Sequence, residues 1–137
     1  MDMSTFDYST AITAHLVYFA IAIVATVVFI AIYVMLTPHR EFTLIRQGNA
    51  AAAISLGGAI IGFVLPLARA VTQSVSTLDL VTWGGVALVV QVGVFFLVGR
   101  LVPRLTNAVK DGQVAAAAFL ASLAVAVGVL NAASMTI

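Results

Sequence analysis

The stretch AITAHLVYFAIAIVATVVFIAIYVML, residues 11–36, decides the fold class. From Ile21 to Ile32 it is apolar apart from Thr26. A helix needs about 20 mostly apolar residues to cross the hydrocarbon layer, whereas the strands of a membrane barrel alternate apolar and polar positions over about ten residues. The stretch therefore predicts a transmembrane helix. Its leader carries acids where a signal peptide carries basic residues, so we expect the helix to be retained.

The composition of the whole chain indicates an integral membrane protein. Of its 137 residues, 63% are hydrophobic and 8% are charged, and the mean hydropathy is +1.18. A soluble domain carries about 25% charged residues, and a disordered chain is rich in charge and poor in apolar residues, so both classes are excluded. The absence of cysteine excludes disulfides and thiolate chemistry, and a net charge of +1 argues against a nucleic-acid partner.

Three further apolar segments follow the first, at residues 50–71, 80–99 and 114–135. Together the four segments predict an all-α membrane protein with four transmembrane helices and no separate soluble domain. The chain then divides into an outer N-terminal segment at 1–10, a two-helix unit at 11–71, an outer loop at 72–79 and a second two-helix unit at 80–137.

The basic residues predict the orientation of the helices. Five of them lie in the loops at 37–49 and 100–113, namely Arg40, Arg46, Arg100, Arg104 and Lys110. Short loops with an excess of Lys and Arg stay in the cytoplasm. We therefore expect both of these loops to be cytoplasmic and both termini to lie on the outer side.

Two matching segments predict an internal repeat. RQGNAAAA at residues 46–53 matches KDGQVAAA at residues 110–117, and each follows a proline-containing basic loop. Each unit holds an even number of spans, so the two copies insert in the same orientation as parallel tandem repeats. In the first copy Gly48 permits the turn and Asn49 is a good helix N-cap, whereas Gln113 caps less well.

These units resemble a known family. The resemblance rests on the Gly-amide turns before the Ala tracts, and on Gly57-Gly58, Pro66 and Asn131-Ala132-Ala133. Such features look like the bacterial inner-membrane proteins of the domain of unknown function 350 family, over residues 15 to 135 of this chain. The resemblance implies a small bacterial inner-membrane protein with a periplasmic outer side, and in some relatives envelope-stress gene neighbourhoods. It implies no reaction.

Small residues four apart predict close helix packing. Gly58 and Gly62 form a GxxxG motif in the second span, and Ala124, Gly128 and Ala132 repeat this spacing in the fourth. Such positions let another helix approach closely. The alternatives are packing among the protein's own helices, which we favour, and an oligomer interface.

The second span also carries a proline and an arginine. Pro66 lacks an N–H, so the carbonyl of Gly62 loses its helical partner, and a kink or local unwinding is expected. Arg69 lies near the outer end of the span, where it either snorkels to the headgroups, pairs with Asp79 or contacts an anion. Snorkelling or structural pairing is the favoured interpretation.

Further polar side chains within the predicted spans include two amides and a histidine. The amides of Gln91 and Asn131 either join neighbouring helices by hydrogen bonds, which is the favoured interpretation, or line a pore that Ser55, Ser122 and Thr26 could join. His15 is interpreted as an interfacial histidine, because no acid is well placed to make a proton-coupled pair with it. Tyr8, Tyr33 and Trp83 are predicted to anchor the helices at the membrane interface.

The first basic loop holds candidate contacts for a cytoplasmic partner, namely Arg40, Glu41, Arg46, Gly48 and Asn49. For Glu41 the simpler alternative is a solvated loop charge. The sequence contains no recognisable catalytic, metal-binding or cofactor-binding constellation, so we expect no enzymatic activity, metal or cofactor.

Two function hypotheses follow. The favoured one is a structural or interaction protein of envelope maintenance, a homo-oligomer in the lipid bilayer with a possible cytoplasmic or membrane protein partner and no nucleic acid. The alternative is a homo-oligomeric channel or small-solute or ion transporter with an amide-lined cavity. A channel predicts that the amides face water, and a scaffold predicts that they are buried between helices.

Overall fold

The computed structural model of the protein describes residues 7–37 and 41–135. Within these ranges every element is a helix: α1 (Tyr8–Leu36), α2 (Glu41–Arg46), α3 (Ala50–Gln73), α4 (Thr77–Leu101), α5 (Pro103–Lys110) and α6 (Val114–Ser134). The helices α1, α3, α4 and α6 are long and apolar enough to cross a membrane. The prediction of an all-α membrane protein with four transmembrane helices is confirmed.

Two spans begin earlier than the apolar pattern predicts, because polar side chains cap them. Asp7 accepts from the backbone N–H of Thr10 at 3.3 Å, and α1 begins at the next residue, Tyr8. Ser76 accepts from the N–H of Asp79 at 3.1 Å and starts α4. Each cap satisfies an N–H group that the helix itself leaves free. The added first turns are polar, so hydropathy alone does not detect them.

Each basic loop contains a short helix that ends in a glycine turn. Gly48 has a φ of 85° and Gly112 a φ of 83°, in the left-handed region that glycine adopts at least cost. The N–H of Asn49 donates to the carbonyl of Leu44 at 2.9 Å, and the N–H of Gln113 donates to that of Ala108 at 3.0 Å. These are the hydrogen bonds of a Schellman helix ending. The two halves thus share an element order, while the parallel tandem repeat itself stays a prediction.

Asn49 caps α3 and also ties it to the other half of the chain. Its side-chain oxygen accepts from the N–H of Ala52 at 3.1 Å, which confirms the predicted N-cap. Its Nδ2 donates to the carbonyls of Val109 at 3.3 Å and Lys110 at 3.1 Å, at the end of α5. Gln113 makes no such side-chain cap at the start of α6. One side chain therefore links the start of α3 to the segment that leads into α6.

Helix α3 is the most buried span of the bundle, and α6 packs closely along it in the same direction. A Cβ atom at Gly58 would overlap the side chain and backbone of Ala121, and one at Gly62 would overlap the backbone of Ala124. At Gly128 it would overlap the carbonyl of Gly62. The face of α3 with the GxxxG motif is therefore covered by α6 of the same chain, which is the internal-packing alternative. Whether the protein forms an oligomer stays a prediction.

The other two spans pack on this pair less extensively. The ring of Phe29 on α1 stacks on that of Phe63 on α3, with centroids 4.7 Å apart. Leu67 of α3 and Ala87 of α4 continue this buried apolar cluster. In contrast, α1 is exposed along its first half, where Tyr18 alone among residues 8–20 is half-buried. Helix α1 is thus held to the bundle mainly by its second half.

The neighbouring glycines of α3 offer a direct test of this packing. Gly58→Ala should lower the free energy of unfolding by about 1–3 kcal/mol, because the new methyl group forces α3 and α6 apart. Gly57→Ala is the matched control, since a Cβ there has nothing within 4 Å. Thermal melting of both variants in the same detergent measures the difference. Equal stabilities would contradict the described contact.

Candidate functional site

A cavity with a mostly apolar wall and a few polar residues set into it lies inside the end of the bundle that carries α2 and α5, which we call the basic-loop end. We refer to it below as the polar cavity. It has a volume of about 50 Å³. The four spanning helices surround it, and residues of α2 and α5 line it where the bundle ends. The polar residues in its wall are Tyr33, Thr37, Glu41, Ser55, Gln91 and Thr106.

Tyr33 and Ser55 form a hydrogen-bonded pair in the wall of the cavity. The Tyr33 hydroxyl lies 3.2 Å from the Ser55 hydroxyl, and either oxygen can donate. Tyr33 is 3% exposed, so the prediction that it anchors the helix at the membrane interface is wrong. Its ring packs against Phe95 of α4, with centroids 4.3 Å apart, which turns the hydroxyl inward toward α3.

Gln91 projects from α4 into the contact between α3 and α6. Its Nε2 donates to the carbonyl of Ala124 at 3.4 Å, and a Cβ at Gly62 would lie 2.9 Å from this nitrogen. The amide therefore occupies space that the glycine leaves open. Gln91 is 5% exposed, and its Oε1 has no hydrogen-bond partner among the described residues. The side chain joins helices and carries a buried acceptor without a partner among the described residues.

Glu41 brings an ionisable group to the same cavity. It is the first residue of α2 and is 0% exposed, so the solvated charge expected from the sequence is wrong. Burial raises the pKa of its carboxyl from 4.5 to about 7. A group with such a pKa changes its protonation state near neutral pH.

The cavity is closed on the side away from the basic loops. Phe29 lines it there, and the stacked ring of Phe63, fully buried, lies beyond. Leu67 and Ala87 fill the next layer. An apolar, close-packed layer of this kind gives water no hydrogen-bond partners. Among the described residues this layer separates the cavity from the other end of the bundle, so the arrangement is a one-sided cavity.

Of the intramembrane candidates, only Gln91 lies at this cavity. Asn131 is half-buried on α6, and its Nδ2 makes no hydrogen bond within the described ranges. Pro66 is buried in α3, which stays helical on both sides of it without the local unwinding predicted there. His15 is exposed on α1 and stacks on Phe19, with centroids 6.2 Å apart. Ala132 is half-buried near the C-terminal end of α6.

Arg69 contacts residues other than Asp79, which was one of the partners considered for it. Its Nη2 lies 3.5 Å from the carbonyl oxygen of Met135, at the end of α6. With the Gln73 amide turned so that its oxygen faces the guanidinium, Nη1 lies 2.9 Å from that oxygen. Asp79 instead accepts from the N–H of Val75 at 3.1 Å. Arg69 thus has a structural pairing, with a glutamine and a backbone carbonyl in place of the acid.

The predicted loop contacts separate into different environments. Arg46 and Gly48 are exposed, Asn49 joins the two halves, and Glu41 is buried in the cavity wall. Arg40 lies outside the described residues.

Sequence reasoning missed two members of the site. Tyr33 was assigned to the interface, and Ser55 was considered only as a possible pore-lining residue beside Thr26 and Ser122. The hydroxyls of Thr26 and Ser122 donate to carbonyls of their own helices. The available signal was spacing, because residues four apart share a helix face and Tyr33 lies four residues after Phe29.

Comparison with known proteins identifies the family. Residues 7–135 match the family described as Domain of Unknown Function (DUF350). This chain belongs to the DUF350 family. It is 38% identical to the UPF0719 inner membrane protein YjfL of Escherichia coli K12 over 126 residues, which are 92% of this chain and 96% of the relative.

A more distant relative lies in a Gram-positive bacterium. The UPF0719 transmembrane protein YshE of Bacillus subtilis strain 168 is 28% identical over 87 residues, 64% of this chain and 65% of the relative. No solved structure matches the chain significantly. With four apolar helices and inner-membrane relatives, this DUF350 protein is a multi-pass protein of the inner membrane.

The raised pKa of Glu41 predicts a pH dependence of stability. Between 4.5 and about 7 the folded protein keeps a proton that the unfolded chain releases. Stability should therefore fall as pH rises through this window and level off above it. Melting temperatures in detergent from pH 4.5 to 8 measure the effect. Glu41→Gln should remove the slope, whereas Asp111→Asn, at an exposed carboxyl, should keep it; a slope that persists in Glu41→Gln contradicts the assignment.

Proposed function

We propose that this DUF350 protein binds a small cation in the polar cavity and carries it across the inner membrane as part of a homo-oligomer. The observation that carries the proposal is the Gln91 carbonyl oxygen, which is buried in the cavity wall without a hydrogen-bond partner among the described residues. A buried acceptor of this kind costs about 1–3 kcal/mol unless a donor or a cation satisfies it.

The chemistry of the wall supports a cation over an anion. Apart from the Gln91 amide nitrogen, which donates to Ala124, its polar side-chain atoms are oxygens of hydroxyl, amide and carboxyl groups. No Lys or Arg of the described residues lines it. Such oxygens are the ligands that hard cations prefer. The basic residues Arg46, Arg100, Arg104 and Lys110 are exposed and lie outside the cavity wall.

The size of the cavity supports a small ligand. One water molecule needs about 10–15 Å³ by the same measure of volume. A cavity of about 50 Å³ therefore has room for a few water molecules, or for one small ion that keeps part of its hydration shell.

The one-sided shape supports a carrier more than a channel. The cavity lies at the basic-loop end, and the Phe29–Phe63 pair closes its other side. Transport from this state requires the apolar layer to open after the ligand binds, as in alternating access. The positive-inside rule assigns the basic-loop end to the cytoplasm, which makes the described state inward-facing.

The two intramembrane amides allow a controlled test. Gln91→Leu should reduce uptake of radiolabelled rubidium or sodium into proteoliposomes by about tenfold, because it removes the buried acceptor. Asn131→Leu removes an amide of the fourth span outside the cavity and should leave uptake near that of the unaltered protein. A cation-dependent rise in melting temperature of the unaltered protein, lost in Gln91→Leu, provides a second readout. No uptake above empty vesicles, or an equal loss in both variants, would contradict the proposal.

A second candidate is a structural role in envelope maintenance, through assembly of several copies. It is favoured by the first half of α1, which is exposed apart from half-buried Tyr18. His15 in this half makes no hydrogen bond to any described residue, although an imidazole surrounded by lipid chains is costly. A second copy packed along α1 would cover it.

The cysteine-free chain makes this assembly easy to test. Single cysteines in place of Ile12, Leu16 or Phe19, all exposed on α1, should give disulfide-linked dimers in native membranes. Val89→Cys is the control, because Val89 is more exposed than these three residues but lies on α4. Cross-linking at Val89 alone, or at none of the positions, would argue against an α1 interface. Dimers without cation uptake would leave the structural role as the better proposal.

A further inference from the structure

A second concavity lies on the outside of the bundle at the basic-loop end. It is a groove of about 200 Å³ between the end of α1, the end of α4 and α5. Phe95, Gly99 and Thr106 line both this groove and the polar cavity, so these residues form a shared wall. The groove is a separate concavity, because its other five lining residues, Leu36, Phe96, Arg100, Pro103 and Asn107, do not line the cavity.

The groove has an apolar part and a polar part. Leu36 of α1 and Phe96 of α4 supply the apolar wall, and both side chains are exposed. Arg100 and Asn107 supply a cation and an amide, with the hydroxyl of Thr106 beside them. The two kinds of surface meet within one groove, which matches a molecule that is itself apolar at one end and anionic at the other.

Arg100 is available to bind such a molecule. Its guanidinium carbon lies 5.8 Å from the centre of the Phe96 ring. Within the described ranges the guanidinium makes no hydrogen bond or ion pair. An arginine held over an aromatic ring keeps its N–H donors free at the edges, and these fit the oxygens of a phosphate in pairs.

The position of the groove along the membrane normal decides the type of ligand. Arg100 lies in the last turn of the spanning helix α4, and Pro103 starts the polar helix α5 two residues beyond its end. This is the level at which hydrocarbon gives way to headgroups. A free phosphate would use only the arginine and the amide, whereas a phospholipid would use the apolar wall as well.

We propose that this groove binds one anionic phospholipid. Arg100, Asn107 and Thr106 hold its phosphate, and the start of an acyl chain lies against Leu36 and Phe96. The proposal can be tested apart from cation transport, because Thr106 is the one polar side chain common to both sites, whereas Arg100, Asn107, Leu36 and Phe96 line the groove but not the cavity. Basic residues near a membrane favour anionic lipids generally, so specific binding requires that Arg100 matter more than its basic neighbours.

Native mass spectrometry of the full-length protein in detergent, titrated with phosphatidylglycerol or phosphatidylcholine, tests this inference. The unaltered protein should retain phosphatidylglycerol about fivefold more tightly, and Arg100→Gln should lose this preference. Arg104→Gln removes an equal charge at an exposed position of α5 outside the groove, and this variant should keep the preference for phosphatidylglycerol. Leu36→Trp fills the apolar part without changing the charge and should lower phosphatidylglycerol binding by a similar factor.

Several results would overturn the proposal. If Arg104→Gln and Arg100→Gln lost the preference for phosphatidylglycerol equally, the preference would reflect general attraction between basic residues and anionic lipids. Equal retention of both lipids by the unaltered protein would remove the headgroup specificity. Displacement of the lipid by equimolar glycerol phosphate, with no effect of Leu36→Trp, would indicate a site for a free anion instead.

Discussion

The close approach of α3 and α6 is the contact on which the rest of the structure depends. In a membrane the lipid is as apolar as the helices, so association relies on packing and hydrogen bonds and not on escape from water. Gly58, Gly62 and Gly128 let the two backbones meet without intervening side chains. Asn49 fixes the relative height of the helices at one end, and Arg69 contacts the end of α6 at the other. The remaining helices are arranged around this pair.

The cavity follows from the same contact. Where glycine removes a side chain from α3, the amide of Gln91 enters from α4 and bonds to α6, so three helices are joined at one level. Toward the basic-loop end the wall becomes polar, with Tyr33, Ser55 and Glu41. Toward the other end the aromatic pair and the aliphatic side chains beyond it exclude water. A single chain of four helices therefore provides one polar compartment and one dry layer, and the proposed transport cycle requires that the dry layer give way.

The sequence predicted the positions of the helices better than it predicted the contacts between them. Hydropathy reports whether a segment suits an apolar environment, and it located all four spans to within a few residues because lipid and the packed interior of the bundle are both apolar. The glycine turn at Gly48 and the cap at Asn49 were also predictable, since each depends on the residue's own backbone or side chain. The burial of Tyr33 and Glu41 was not predictable. For Tyr33 it depends on which helices meet, and for Glu41 it depends on a short helix that forms in the first basic loop. Apolar residues lie on every face of α1, so its sequence gave no indication of which face turns inward.

The parallel pairing of α3 and α6 has a consequence for how the protein is made. Asn49 and its acceptor Val109 are 60 residues apart in the chain. At a synthesis rate of about 5–20 residues per second, the first hairpin waits roughly 3–12 seconds in the membrane before its partner is complete. During this interval the glycine face of α3 contacts lipid, and the amide of Asn49 lacks its carbonyl partners. Helix α6, which is synthesised after α3, thus completes the closest helix contact of the molecule, and a chain released before α6 would lack the partner of its most closely packed helix.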